Sequence, residues 1–130
     1  MAAEQPPIRV LLVDDEEYYR AAVCRVLGRR GFCVTEAASG EEALTALAAG
    51  APDAVVLDLN LPGIDGLETL RRIAEALPSV PVIMLTGRGT MTAARDAIRH
   101  RVRDFLLKPV SVERLVEALE AAVAGQRGGG

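Results

Sequence analysis

The sequence has no tryptophan and only two phenylalanines and two tyrosines, so any core it builds must be aliphatic. It has two cysteines, Cys24 and Cys33, at a spacing that suits neither a disulfide framework nor a metal site, and they read as reduced thiols in a cytoplasmic protein. No apolar run approaches the length of a membrane span, and Met1 to Pro7 lack the charged start and apolar run of a signal peptide. The one histidine, His100, has no partner at ligand spacing, which argues against histidine-based catalysis or metal binding there. A net charge of −3 gives no basis for general nucleic-acid binding. Lysine is nearly absent as well. Of 15 basic residues only Lys108 is lysine, which marks it as a position where a compact ammonium does what a planar guanidinium cannot.

Half the chain is apolar, enough for a real core in one domain of 130 residues. Its organising stretch is Val55-Val56-Leu57-Asp58-Leu59-Asn60-Leu61-Pro62-Gly63-Ile64-Asp65-Gly66. It opens as a continuous apolar run, the pattern of a strand buried on both faces of a parallel sheet, and breaks at two turn dipeptides. Asp58 therefore stands at the carboxyl end of a buried strand, where ligands bind in open α/β sheets.

Four further strands are expected at Ile8–Val13, Phe32–Ala37, Val80–Thr86 and Phe105–Leu107, beside the one at Ala54–Asp58. Helical spacing links Tyr19, Val23, Val26 and Leu27, with Gly28 and Gly31 at the end of that helix. Asp14-Asp15-Glu16-Glu17 precedes it, and Glu16 and Glu17 suit the positive helix terminus. Ser39 and Glu42 form a capping box before the stripe Ala43, Leu44 and Leu47. Leu67, Leu70, Ile73, Ala74 and Leu77 mark a third helix, and Met91, Ala94 and Ile98 a weakly apolar fourth. Ser111 caps a fifth, with Val112, Leu115, Val116, Leu119 and Val123 inward. Strand and helix alternate throughout, which predicts an α/β, doubly wound, five-stranded parallel sheet with about five helices on both faces. Residues 1–124 make the domain, and 125–130 read as a flexible Gly-rich tail or the start of a linker.

In such a sheet the strand ends share one rim. Asp14 and Asp15, Asp58, Thr86 and Lys108 therefore converge there. Three carboxylates call for a neutralising cation, and hard oxygen ligands favour Mg²⁺. A metal with an ammonium and a hydroxyl opposite suits the placement of a phosphoryl group.

From about Ile8 to Val123 the chain resembles the receiver domains of two-component response regulators, the CheY-like superfamily, whose sheet is flavodoxin-like with order 2-1-3-4-5. The resemblance rests on Asp14-Asp15, on Leu57 to Gly63 with Asp65-Gly66, on Thr86, and on Phe105-Leu106-Leu107-Lys108-Pro109. It implies that Asp58 accepts a phosphoryl group from a phosphohistidine on a sensor kinase or phosphotransfer protein. It assigns Mg²⁺ to Asp15, with Asp14 mainly through water, to Asp58 and to the carbonyl of Asn60. Thr86 and Lys108 would contact phosphoryl oxygens, Thr86 and Phe105 would form the switch (core filling explains Phe105 equally well), and the bond before Pro109 would be cis. Output would pass through the face of the fourth helix, fifth strand and fifth helix to an output domain, a downstream protein or a phosphorylation-dependent homodimer. Such a protein is not a conventional enzyme; it catalyses its own phosphotransfer and autodephosphorylation in the bacterial cytoplasm, with no direct contact to nucleic acid or membrane.

Departures from the family pattern are local. Arg101-Val102 replace a usual Gly-Ala pair, and Gly87 follows the threonine where alanine is common. Asn60 and Arg88, each two positions beyond a site residue, are expected to tune phosphoryl lifetime. Arg95, Arg99, Arg101 and Arg103 with His100 form a basic cluster, read as a solvated face or as a docking surface for an acidic partner. Two alternatives are a small phosphatase or phosphotransferase with Asp58 as covalent nucleophile, and a receiver-like module that only binds proteins. The first lacks the Asp-X-Asp pattern after the first strand, and no Gly-rich phosphate loop supports a nucleotide-binding module.

Overall fold

The computed structural model describes residues 6–59, 61, 66–87 and 102–128. Five strands, β1 (Arg9–Val13), β2 (Cys33–Ala37), β3 (Ala54–Leu57), β4 (Val82–Thr86) and β5 (Asp104–Leu107), form one sheet. Its order is β2-β1-β3-β4-β5, with every adjacent pair parallel. The described helices are α1 (Glu17–Arg29), α2 (Gly40–Ala49), α3 (Gly66–Ala76) and α4 (Val112–Gly128). The helix expected around Met91 to Ile98 lies outside the described residues, as do Asn60, Asp65, Arg88, Arg95, Arg99, His100 and Arg101.

Alternation along the strands explains why both faces are covered. Val10 and Leu12 of β1, Val56 of β3 and Ile83 and Leu85 of β4 pack with Val23 and Leu27 of α1 and with Leu115, Leu119 and Val123 of α4. Their neighbours Leu11, Val13, Val55, Leu57, Val82 and Met84 pack on the opposite face with Ala43 of α2 and Leu70 and Ile73 of α3. A strand buried on both faces cannot alternate apolar with polar, and β3 reads AVVL with all four residues buried. Each large aliphatic side chain removed from water in this way stabilises the fold by roughly 1.5–3 kcal/mol.

Helix ends follow local chemistry. Gly31 takes φ +93°, a left-handed conformation that terminates α1, and lets the Phe32 N–H reach the Leu27 carbonyl at 3.0 Å. The Ser39 hydroxyl accepts the Glu42 N–H at 3.1 Å, as a capping box requires. The return bond is shifted by one residue, because the Glu42 carboxylate accepts the Ala38 N–H at 2.8 Å instead of that of Ser39. Ser111 accepts the Arg114 N–H at 3.1 Å and starts α4. That helix runs on to Gly128, through residues 125–128 of the stretch read as a flexible tail or the start of a linker. A Glu117–Ala122 stretch of good helix formers carries it past Gly125, since one glycine costs only about 1 kcal/mol.

Candidate functional site

The turn after β1 is held by its backbone. The Asp14 N–H donates to the Ala37 carbonyl at 3.0 Å, and the Asp14 carbonyl accepts from Arg20 Nη1 at 2.7 Å. Arg20 is itself fixed by Glu36, 3.0 Å from Nε. The Asp14 carboxylate folds back over its own turn, Oδ1 accepting the Glu16 N–H at 2.8 Å. After β3 the Asp58 N–H extends the ladder to the Val13 carbonyl at 3.0 Å, which places Asp58 beside Asp14. Gly66, the first residue of α3, presses on the same segment: a Cβ there would lie 2.4 Å from Leu59 Cα and 2.8 Å from the Asp58 carbonyl oxygen. Only a residue without a side chain lets α3 start this close.

Lys108, immediately after β5, reaches across this rim. Its Nζ stands 2.7 Å from Asp14 Oδ2, 2.6 Å from Glu16 Oε1 and 3.0 Å from Asp58 Oδ2. Asp14 and Asp58 are 1% and 3% exposed, so their charges are held out of water and depend on that ammonium. Burial pushes the Asp14 carboxyl above its usual range, against the lowering effect of Lys108 and the Glu16 N–H. Burial alone would lower Lys108, but the three carboxylates outweigh it and its pKa is raised, so it is an ammonium at any physiological pH. Tyr19 of α1 completes the surroundings, its ring centroid 4.6 Å from Nζ.

The residues expected on the rim divide as follows. Asp14, Asp58 and Lys108 meet. Thr86 ends β4 beside Leu107 of β5, and its side chain lies outside the described part of the structure. Phe105 is half-buried and packs against the Leu11–Met84 side of the core. The Lys108–Pro109 peptide is cis. Asp15 is exposed and stands outside the carboxylate cluster, whose third member is Glu16. The chain bends at Asp15 as it leaves β1, and the Asp14 carboxylate holds the Glu16 N–H across that bend, so Asp14 and Glu16 both meet Lys108 while Asp15 is left exposed. The sequence suits Glu16 to the helix terminus; it occupies the N-cap position of α1, yet its side chain makes no capping bond and is spent on Lys108. Tyr19 was legible only as a member of the apolar stripe. The signal that bears on both was the lone lysine, which needs partners of its own.

A divalent cation fits this donor set. Asp14, Glu16 and Asp58 each offer a carboxylate oxygen within 4.8 Å of the others. Asp14 Oδ2 is buried, and among the described residues its polar partner is the ammonium at 2.7 Å. Hard, anionic oxygens open to water on one side suit Mg²⁺. Among the described residues, no helix is long and apolar enough to cross a membrane.

Comparison with known proteins agrees with the geometry. The sequence pattern of the family described as response regulator receiver domain matches residues 10–120. The C4-dicarboxylate transport transcriptional regulatory protein DctD of Rhizobium meliloti is 37% identical over 118 residues, 91% of this chain and 26% of that protein. The transcriptional regulatory protein TcrA of Mycobacterium tuberculosis is 39% identical over 114 residues, covering 88% and 45%. This chain thus spans half or less of the length of these curated relatives. The crystal structure of the receiver domain of NtrX from Brucella abortus superposes with a TM-score of 0.82 at 37% identity, over 88% of this chain and 97% of that one.

Proposed function

Since the chain belongs to the response regulator receiver domain family, we propose that it is a phosphorylation-dependent switch that accepts a phosphoryl group on Asp58. The observation that carries this reading is the meeting of Asp58 with the only lysine of the sequence, 3.0 Å apart, beside the buried Asp14. The donor is a phosphohistidine on a sensor kinase or phosphotransfer protein. An Asp58 carboxylate oxygen attacks phosphorus; the oxygen–phosphorus bond forms as the nitrogen–phosphorus bond breaks, and the imidazole keeps the electron pair.

Asp14 and Asp58, with Asp15 and the Asn60 carbonyl in the roles the resemblance implies, would hold Mg²⁺, and Glu16 would add negative charge beside them. Bound there, the metal supplies neutralising charge to the phosphoryl oxygens. Lys108 pairs with one of those oxygens and the Thr86 hydroxyl donates to another. Movement of Thr86 is passed to Phe105, and through it to the face of β5 and α4 that meets an output domain, a downstream protein or a second copy. Asn60 and Arg88 set how long the acyl phosphate lasts.

The test is incubation with Mg²⁺ and acetyl phosphate followed by intact-mass analysis, with Asp58→Asn and metal-free samples alongside. One phosphoryl group gained only with metal and only with Asp58 supports the reading. A folded protein that gains none, and that binds neither Mg²⁺ nor beryllofluoride, overturns it.

A further inference from the structure

Among the described residues four groups surround the Lys108 ammonium, and they differ in what else attracts them. Asp14, Glu16 and Asp58 are carboxylates, within reach of one cation site. The fourth, the ring of Tyr19, is neutral and 4.6 Å from Nζ. Carboxylates committed to Mg²⁺ have less charge to offer the ammonium, whereas an aromatic face holds a cation through its quadrupole and ligates no metal. Tyr19 is also fixed independently of the site, since it packs on the α1–α4 side of the core with Val23 and Leu27 nearby in its own helix. Its hydroxyl is buried and makes no hydrogen bond among the described residues, so it is the ring face, and not the phenol, that the fold uses.

We propose that Tyr19 is a positioning residue that keeps the Lys108 ammonium over the acid pocket while the carboxylates are engaged by Mg²⁺, so that it meets an incoming phosphoryl group without first being ordered. This deepens the reading of Asp58 as phosphoacceptor and rests on it. Without the ring, metal binding releases a long, flexible side chain toward solvent, and phosphoryl binding must order it again. Tyr19 touches neither the phosphoryl group nor the metal; it acts through Lys108.

Lys108 is the only lysine, so protein labelled with ¹³C,¹⁵N-lysine reports it as a single side-chain spin system. With Mg²⁺ at saturation, the Lys108 ε-methylene protons are expected upfield of free lysine because the Nζ they adjoin is held over an aromatic ring. They remain upfield in Tyr19→Phe and move to the free-lysine position in Tyr19→Leu. Beryllofluoride affinity at saturating Mg²⁺ falls roughly fivefold in Tyr19→Leu, the equivalent of a partly desolvated cation–π contact, and is unchanged in Tyr19→Phe. Tyr19→Phe also melts no lower than wild type, because it removes a buried hydroxyl that has no partner. The proposal is overturned if wild type binds Mg²⁺ and beryllofluoride but its Lys108 signal stands at the free-lysine position. It is overturned equally if Tyr19→Phe loses as much affinity as Tyr19→Leu. Failure of wild type to bind either ligand instead sinks the phosphoacceptor reading, which keeps the two failures apart.

Discussion

Glu16 and Lys108 lie 92 residues apart in sequence, and the fold brings Oε1 of one within 2.6 Å of Nζ of the other. The Glu16 side chain is 62% exposed while its partner is 14% exposed, so this ion pair closes the rim of a site whose other carboxylates are buried. It makes Glu16 the accessible charge of the cluster.

Glu16→Gln is therefore expected to separate metal binding from stability. Lys108 keeps two buried carboxylates, so unfolding free energy changes by no more than about 1 kcal/mol, as for an exposed pair. Removing one negative charge beside the cation site lowers Mg²⁺ affinity about three- to tenfold. Calorimetric Mg²⁺ titration next to urea denaturation reads both, and unchanged Mg²⁺ affinity would detach Glu16 from the site.

Lys108→Met leaves Asp14 and Asp58 buried without their ammonium. Such a loss costs about 3–5 kcal/mol in metal-free buffer. Mg²⁺ supplies the missing positive charge, so its addition raises the urea midpoint of the variant more than that of wild type. Equal metal responses in the two proteins would mean that ammonium and metal do not serve the same carboxylates.

Gly66→Ala tests how closely α3 must approach the acceptor segment. A Cβ 2.4 Å from Leu59 Cα meets backbone, which cannot rotate away as a side chain can. The expected loss is about 1–3 kcal/mol in urea denaturation. Because the same Cβ would crowd the Asp58 carbonyl at 2.8 Å, the rate of acetyl phosphate labelling should fall too.

On the exposed face of α3, Glu68 is held by Arg71 and Arg72, which lower its pKa from 4.5 to about 2. A carboxyl whose pKa is lower in the folded chain contributes stability above its unfolded value and loses it as pH falls toward the folded one. The stability gap between wild type and Glu68→Gln is therefore full at pH 7 and narrows between about 4.5 and about 2. Chemical denaturation at stepped pH measures it, and a gap constant across that window would show that the arginine fork does not bind the ionised form selectively.

Much of this architecture is written locally. Continuous apolar runs such as Val55-Val56-Leu57 dictate strands buried on both faces, and the helical stripes between them dictate cover on each side. From that alternation the arrival of Asp14, Asp58, Thr86 and Lys108 at one rim follows, because parallel strands all end on the same side. The lone lysine was visible in composition alone.

What the sequence could not decide is which side chains turn inward once they reach that rim. Asp14, Asp15 and Glu16 are chemically interchangeable in a string of letters. The ladder bond from Asp14 to Ala37 and the Arg20 clamp on its carbonyl fix the direction in which the chain leaves β1. That direction buries Asp14, exposes Asp15 and brings Glu16 to Lys108. Tyr19 likewise reads as one more apolar position of a helix, and only the reach of Lys108 from the end of β5 across the rim to α1 sets the ammonium against its ring. Periodicity specifies faces and ends. Contacts between residues far apart in the chain depend on how packed elements are oriented, and that is settled by the whole core at once.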